Sequence, residues 1–234
     1  MMRPVRVVFA LILLLTIAAC GPKTRWDHTP SEEHVVRTGE TLYAIAWRYG
    51  TDPNELARWN NLSDKSIIYP GQVLRLTRPP GMAAATAGSG SSSSQSSNAP
   101  SRGLPPIPTD PPPAWRWPTD GKVAVEFGKR PGSGTGILVA GELGQTIKAA
   151  ANGRVVYSGG GLTGYGELII LKHNNTYLSA YGHNASLLVT EGDSVKKGQR
   201  IAKMGEGPGR EPRLHFEIRK NGEPVNPRQY LPAR

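Results

Sequence analysis

Stretches with a clear apolar pattern alternate along the chain with stretches that carry almost no apolar bulk, and this divides it into five parts. Residues 1–19 hold an uninterrupted apolar run, Val7 to Leu15, behind Arg3 and Arg6, and end in the small pair Ala18-Ala19. The run is too short to span a bilayer comfortably, and its charged start and small-residue end are those of a signal peptide. Residues 20–33 form a polar tether. From 34 to 76 the pattern returns. Val35-Val36 predict a short strand, and Leu42, Ile45, Ala46 and Tyr49 fall on one face of a helix closed by Gly50. Asp52-Pro53 starts a second helix that turns Leu56 and Trp59 inward, and Ile68 to Leu76 supply a turn and a closing strand. Trp59 reads as core from its spacing, whereas the pattern gives Trp47 no place.

Residues 77–114 are rich in Ser, Gly, Ala and Pro, including Ser91 to Ser94 and Pro111 to Pro113. Such a segment cannot bury enough surface to offset its ordering entropy, so a disordered linker is expected, with an end-to-end distance of roughly 30–40 Å. From 115 to 234 short apolar runs sit between Gly, Asn and Asp. Strands are predicted at 123–127, 137–139, 146–149, 154–157, 168–172, 177–181 and 214–219, which together mean an all-β sandwich or barrel-like sheet. The expected fold is thus two domains: a small α+β unit of βααβ order, joined by the linker to the sandwich.

Composition narrows the chemistry. The 28 Lys+Arg against 18 Asp+Glu give a formal net charge of +10 over 234 residues, but the cations are dispersed, with no run of five. That pattern suits anionic head groups or cell wall and excludes nucleic acid as a partner. A single cysteine, Cys20, excludes a disulfide framework and a thiolate-rich zinc site. The glycines at 132, 134 and 136 precede no helix and no Gly-Lys-Ser/Thr, so they are not a phosphate loop.

The string Leu15-Thr16-Ile17-Ala18-Ala19-Cys20 resembles the bacterial lipobox, which implies lipidation of Cys20. Several acyl chains at ~0.8 kcal/mol per buried CH₂ would anchor the chain to a membrane. Gly21 after the cysteine, by the same resemblance, favours an outer-membrane lipoprotein facing the periplasm. The string HVVRTGETLYAIAWRYGTDPNELARWNNLSDKSIIYPGQVLRL resembles a LysM domain throughout. The resemblance implies binding of peptidoglycan glycan strands between two loops, Thr38, Gly39, Glu40, Thr41 and Leu42 on one side and Ile67, Ile68, Tyr69, Pro70 and Gly71 on the other.

The ordered set GILVAG, IKAAANGRVVYSG, GYGELIILKHNN, YLSAYGHN, VKKGQRIAKMG and RLHFEIRKNGEPVNPRQYLP resembles the LytM or lysostaphin-like zinc peptidases. In that family zinc is held by an H-x-G-x-D motif and the second His of H-x-H. Carried over, the first ligand position falls on Gly134 and the second on Leu138, neither of which can donate. His215 keeps the third position, Arg213 replaces the catalytic His, and His183 keeps an assisting position. Catalytic zinc needs three protein ligands, so the resemblance implies a LytM domain with no catalytic residue, no metal and no cofactor. His173, His183 and His215 are the residues of that module that could assemble a different metal site.

The whole arrangement resembles the NlpD class of murein hydrolase activators, which bind an N-acetylmuramoyl-L-alanine amidase and relieve its autoinhibition during septal wall splitting. The resemblance puts the contact surface in the vacated cleft: Gly134, Thr135, Leu138, Tyr181, His183, Arg213 and His215. Plainer roles stand beside it: Leu138 as core, Tyr181 as strand packing, Arg213 as a solvated cation. Three functions follow: amidase activator, wall-tethering lipoprotein, or endopeptidase with an unusual metal site.

Overall fold

The structure, a computed structural model, describes residues 32–63, 67–82, 110–130 and 134–234. The expected signal peptide, Cys20 and most of the expected linker lie outside the described residues.

The small module pairs β1 (Glu33–Val35) with β2 (Val73–Arg75) antiparallel, His34 opposite Leu74, around α1 (Leu42–Tyr49) and α2 (Pro53–Trp59). Thr41 caps α1 by accepting from the Ala44 N–H at 3.0 Å, and Gly50 closes it at φ 65°, a left-handed conformation open to glycine at little cost. Asp52 caps α2 from the Asn54 N–H at 2.6 Å, with Pro53 in the first turn, where its missing N–H is no loss. Val36, Leu42, Ile45, Ala46, Leu56 and Leu74 form the core, with Trp59 packed against it as its spacing predicted. Tyr49 departs from the predicted face. It is exposed, its hydroxyl 3.1 Å from His34 Nδ1, because a polar tip finds its partner at the helix rim.

The large module is mostly sheet: β3 (Val123–Val125), β4 (Ile137–Ala140), β5 (Thr146–Lys148), β6 (Gly153–Gly159), β7 (Glu167–Lys172), β8 (Tyr177–Leu187), β9 (Ser194–Val195), β10 (Arg200–Met204), β11 (Arg213–Lys220) and β12 (Glu223–Val225). The main sheet runs β3-β4-β11-β8-β7-β6-β9, with β10 bridging β8 to β5 and β12 on β11. Ile147, Ile201, Ala202 and Met204 from β5 and β10 pack with Ile137, Ile169, Tyr181 and Phe216 from the main sheet, closing the apolar core between two layers. Period-two alternation sends Leu214, Phe216 and Ile218 of β11 into that core and His215, Glu217 and Arg219 to the opposite face. Strands β9, β10 and β12 escaped the pattern reading, being short or interrupted by lysine.

Two findings depart from the expected organisation. Residues 110–114, assigned to the linker, are held against the large module: Asp110 accepts from the Asn175 N–H and donates its own to Thr176 Oγ1, both at 2.7 Å. The Pro111 carbonyl accepts from Asn174 at 3.0 Å. The turn at 174–176 supplies partners that composition could not reveal. The modules also do not stand apart. Tyr43, Ala44 and Trp47 of α1 share one apolar cluster with Val156, Tyr157, Leu162, Leu168, Ile170, Leu178 and Ala180. This is where Trp47 belongs.

Candidate functional site

The face of the main sheet that turns away from the core carries His215 and Leu138, two of the residues expected to line a cleft. On β11 the side chains of His215, Glu217 and Arg219 follow one another along it, and the register sets Leu138 of β4 directly across from His215. On the other side Ala180 lies across from Glu217 and Leu178 from Arg219, so one floor runs from Leu138 to the strands under α1. His215 is 2% exposed and its ring rests on Gly136, where a Cβ would lie 2.9 Å from the imidazole. Its Nε2 is 3.1 Å from Glu217 Oε2, so that nitrogen is engaged within the floor.

Glu217 is the polar centre of the face. It is fully buried, yet Oε2 also accepts from Thr135 Oγ1 at 2.9 Å and from the Tyr165 hydroxyl at 3.4 Å, while Oε1 accepts from Arg219 Nε at 2.7 Å. Burial alone would raise its pKa, but the His215 hydrogen bond and the Arg219 charge outweigh that and hold it below the usual carboxylate range. Arg219 reaches on to the small module: Nη1 donates to the Trp47 carbonyl at 3.0 Å.

His183 sits at the rim of the site, half-buried, with ring centroid 5.9 Å from that of His215. Its φ of 62° is an uncommon conformation for a residue with a Cβ. Burial first, and then the neighbouring His215, push its pKa down to about 4, so it is neutral at neutral pH. Arg213 is half-buried, ion-paired with Glu211, and lines an open pocket of about 560 Å³ together with Lys129 and Arg130. Gly134 and Thr135 are half-buried toward the other end of the β4–β11 ladder, where Thr135 reaches Glu217.

Two expected contact residues are placed elsewhere. Tyr181 points into the core: it is 0% exposed, against Phe216 with ring centroids 5.4 Å apart, and its hydroxyl accepts from the Ala150 N–H at 2.8 Å and from Ser179 Oγ at 2.9 Å. Alternation along β8 forces this, because Ala180 and Gly182 take the cleft side. In the small module Leu42 is a core residue, 1% exposed, on the inner face of α1. Leu138 lies on the cleft face but is itself buried beneath it.

Of the remaining expected glycan-loop residues, Thr38, Gly39, Ile67, Tyr69, Pro70 and Gly71 are exposed. Ile68 packs partly against the small core. Glu40 is tied to His34 Nε2 at 2.6 Å and to Arg48. Thr41 already donates to the Val156 carbonyl of the large module at 3.2 Å. His173 is a structural residue, its ring nitrogens 2.7 Å from the Asn152 carbonyl and 2.7 Å from Ser179 Oγ. Sequence reasoning passed over Glu217, Arg219 and Tyr165. The first two had a signal, opposite charges at alternate positions of one strand, which places both on one face.

Among the described residues no set of three or more His, Cys, Asp or Glu converges to hold a metal ion, and no helix is long and apolar enough to cross a membrane. The LysM domain family matches residues 34–77 and peptidase family M23 matches residues 132–227. The lipoprotein NlpD/LppB homolog of Pseudomonas aeruginosa is 42% identical, over 87% of this chain and 78% of its own. The murein hydrolase activator NlpD of Salmonella dublin is 38% identical, over 92% and 72%. The outer membrane antigenic lipoprotein B of Histophilus somni is 39% identical, over 83% and 65%.

Proposed function

The chain belongs to the NlpD/LppB family of lipoproteins, and from that premise we propose that it activates cell-wall hydrolysis by docking, without hydrolysing murein itself. The observation that carries this is the donor set at the former metal position. Gly134 has no side chain, Leu138 has no lone pair, and His215 commits Nε2 to a buried carboxylate. Three ligands and an open position are what a catalytic zinc requires, and these residues do not fit one. Arg213, on the same strand face as His215, has no lone pair to offer a metal ion.

The partner in this reading is an N-acetylmuramoyl-L-alanine amidase held inactive by its own blocking segment. A protein that binds the open form more tightly than the closed form shifts the population toward activity. Moving it from 1% to 99% open requires about 5.5 kcal/mol of differential affinity. The cleft residues assigned to the contact are Gly134, Thr135, His183 and Arg213, with His215 and Leu138 buried beneath them as support. The LysM module would bind peptidoglycan through the exposed parts of its two loops, where backbone donors suit a hydroxyl-rich ligand. A lipid on Cys20 would hold the chain on the periplasmic side of the outer membrane.

The test is dye release from labelled murein sacculi by a purified amidase of the host, with and without the mature chain, and with and without chelator on the chain alone. Stimulation by the chain, and no release by the chain by itself, is the expected result. Failure to stimulate any amidase of the host would overturn the proposal, as would chelator-sensitive release by the chain alone.

A further inference from the structure

We propose that helix α1 of the LysM module is a resident cover of the cleft, and that docking of the activated hydrolase requires its release. The inference rests on the activator reading and adds regulation to it.

Alternation of side chains shows that α1 lies on the cleft face of the sheet. Leu168 and Ile170 of β7 and Leu178 and Ala180 of β8 are the residues it covers, and Ala180 and Leu178 are the cross-strand neighbours of Glu217 and Arg219. Tyr43, Ala44 and Trp47 are the covering residues, and all three are buried. Trp47 also meets the ring of Tyr165 at 6.5 Å between centroids, and Tyr165 in turn meets His215 at 5.3 Å. One ring, that of Tyr165, therefore lies between Trp47 of the helix and His215.

The contact is built as a removable one. The core of the small module uses Val36, Leu42, Ile45, Ala46, Leu56 and Leu74, a set that shares no residue with the covering face, so releasing the cover leaves that core intact. The polar fastenings include four hydrogen bonds. Thr41 donates to the Val156 carbonyl, Asn54 Nδ2 donates to the Asn175 carbonyl at 2.9 Å, Arg48 Nη2 donates to the Gly161 carbonyl at 3.5 Å, and Arg219 donates to the Trp47 carbonyl. At the turn of β11 and β12, Gly222 approaches so closely that a Cβ there would lie 2.4 Å from the Asp52 nitrogen. An occupant that engages Thr135 would disturb its bond to Glu217, whose ion-pair partner Arg219 also holds Trp47. Partner and cover thus compete for one floor, and a partner shifts the equilibrium only by its preference for the uncovered state.

The experiment uses the mature chain with Cys20→Ser and nitroxide labels at Arg75→Cys and Lys197→Cys, exposed sites on the two modules. Ala44→Arg is the releasing variant, because a charged side chain fits a solvent-facing helix position but not the covered one. Tyr43→Glu is a second, in case the first fails to fold. The expected result is one narrow distance in the unmodified sequence and a broad distribution in the variants. Amidase stimulation at limiting chain concentration is expected to rise about 5-fold or more in the variants, the range of ordinary coupling free energies. A broad distance in the unmodified sequence, or release without any gain in stimulation, would overturn the cover and leave the activator reading standing. No stimulation by any of the chains would bring down the activator reading, and this regulation with it.

Discussion

The guanidinium carbon of Arg219 lies 3.7 Å from the centroid of the Trp47 ring, joining two residues that are 172 positions apart in the chain. The same side chain closes an ion pair with Glu217, so a single cation fastens the helix of one module and neutralises the buried carboxylate of the other. A desolvated stack of this kind contributes about 2 kcal/mol.

Arg219→Leu is expected to be more damaging than loss of the stack alone, since it leaves Glu217 charged and buried without its cation. Breaking such a pair from one side costs about 3–5 kcal/mol. Arg219→Lys keeps the charge but loses the planar fork, and should fall between the two. Urea denaturation of the three chains orders them, and a lysine variant no weaker than the natural sequence would contradict the role given to the stack.

Glu40 should give the small module an acid limb. Burial works against its charge, but the Arg37 N–H and the His34 and Arg48 side chains prevail and hold its pKa at about 2. A carboxylate depressed in the folded state stabilises fully above its unfolded pKa, and that contribution fades as pH falls through the folded value. The stability difference between the natural chain and Glu40→Gln should therefore be largest above pH 5 and shrink steadily between about pH 4.5 and about pH 2. Denaturation series at stepped pH measure it.

His173 predicts a second limb at higher pH. Burial drives its pKa down to about 4 against the opposing pull of the Asn152 carbonyl. The unfolded chain then binds the proton first, so stability is lost as pH falls from 6.5 toward 4. In His173→Gln the melting temperature should drop less between pH 7 and pH 5 than in the natural sequence. Equal drops would show that this ring does not stay neutral inside the fold.

Tyr181→Phe separates core from cleft. Removing the hydroxyl leaves the buried Ala150 N–H without its acceptor, at a cost of about 1–3 kcal/mol. Amidase stimulation at a temperature where the variant is folded should be unchanged, because the side chain lies on the far face of β8 from the cleft. A fall in stimulation with folding intact would return Tyr181 to the docking surface.

Much of this protein was legible from local pattern. Helical spacing with its caps gave α1 and α2, and alternation between turn residues gave seven of the strands, because both signals depend on neighbours a few positions apart. The order of the motifs also proposed Gly134, Leu138, Arg213 and His215 as the altered metal site, since lacking a donor atom is a property of the residue itself. Only the tertiary structure decided which face of each strand meets the cleft. That choice buried Tyr181, made Glu217 the centre of the site, and gave Trp47 its partner in Arg219. Local pattern also assigned residues 110–114 to the linker, yet they are held by a turn more than 60 positions away. The physical reason is the same in each case. A period of two or of 3.6 fixes which side chains share a face, while what that face packs against depends on contacts between residues far apart in the chain, which only the folded molecule brings together.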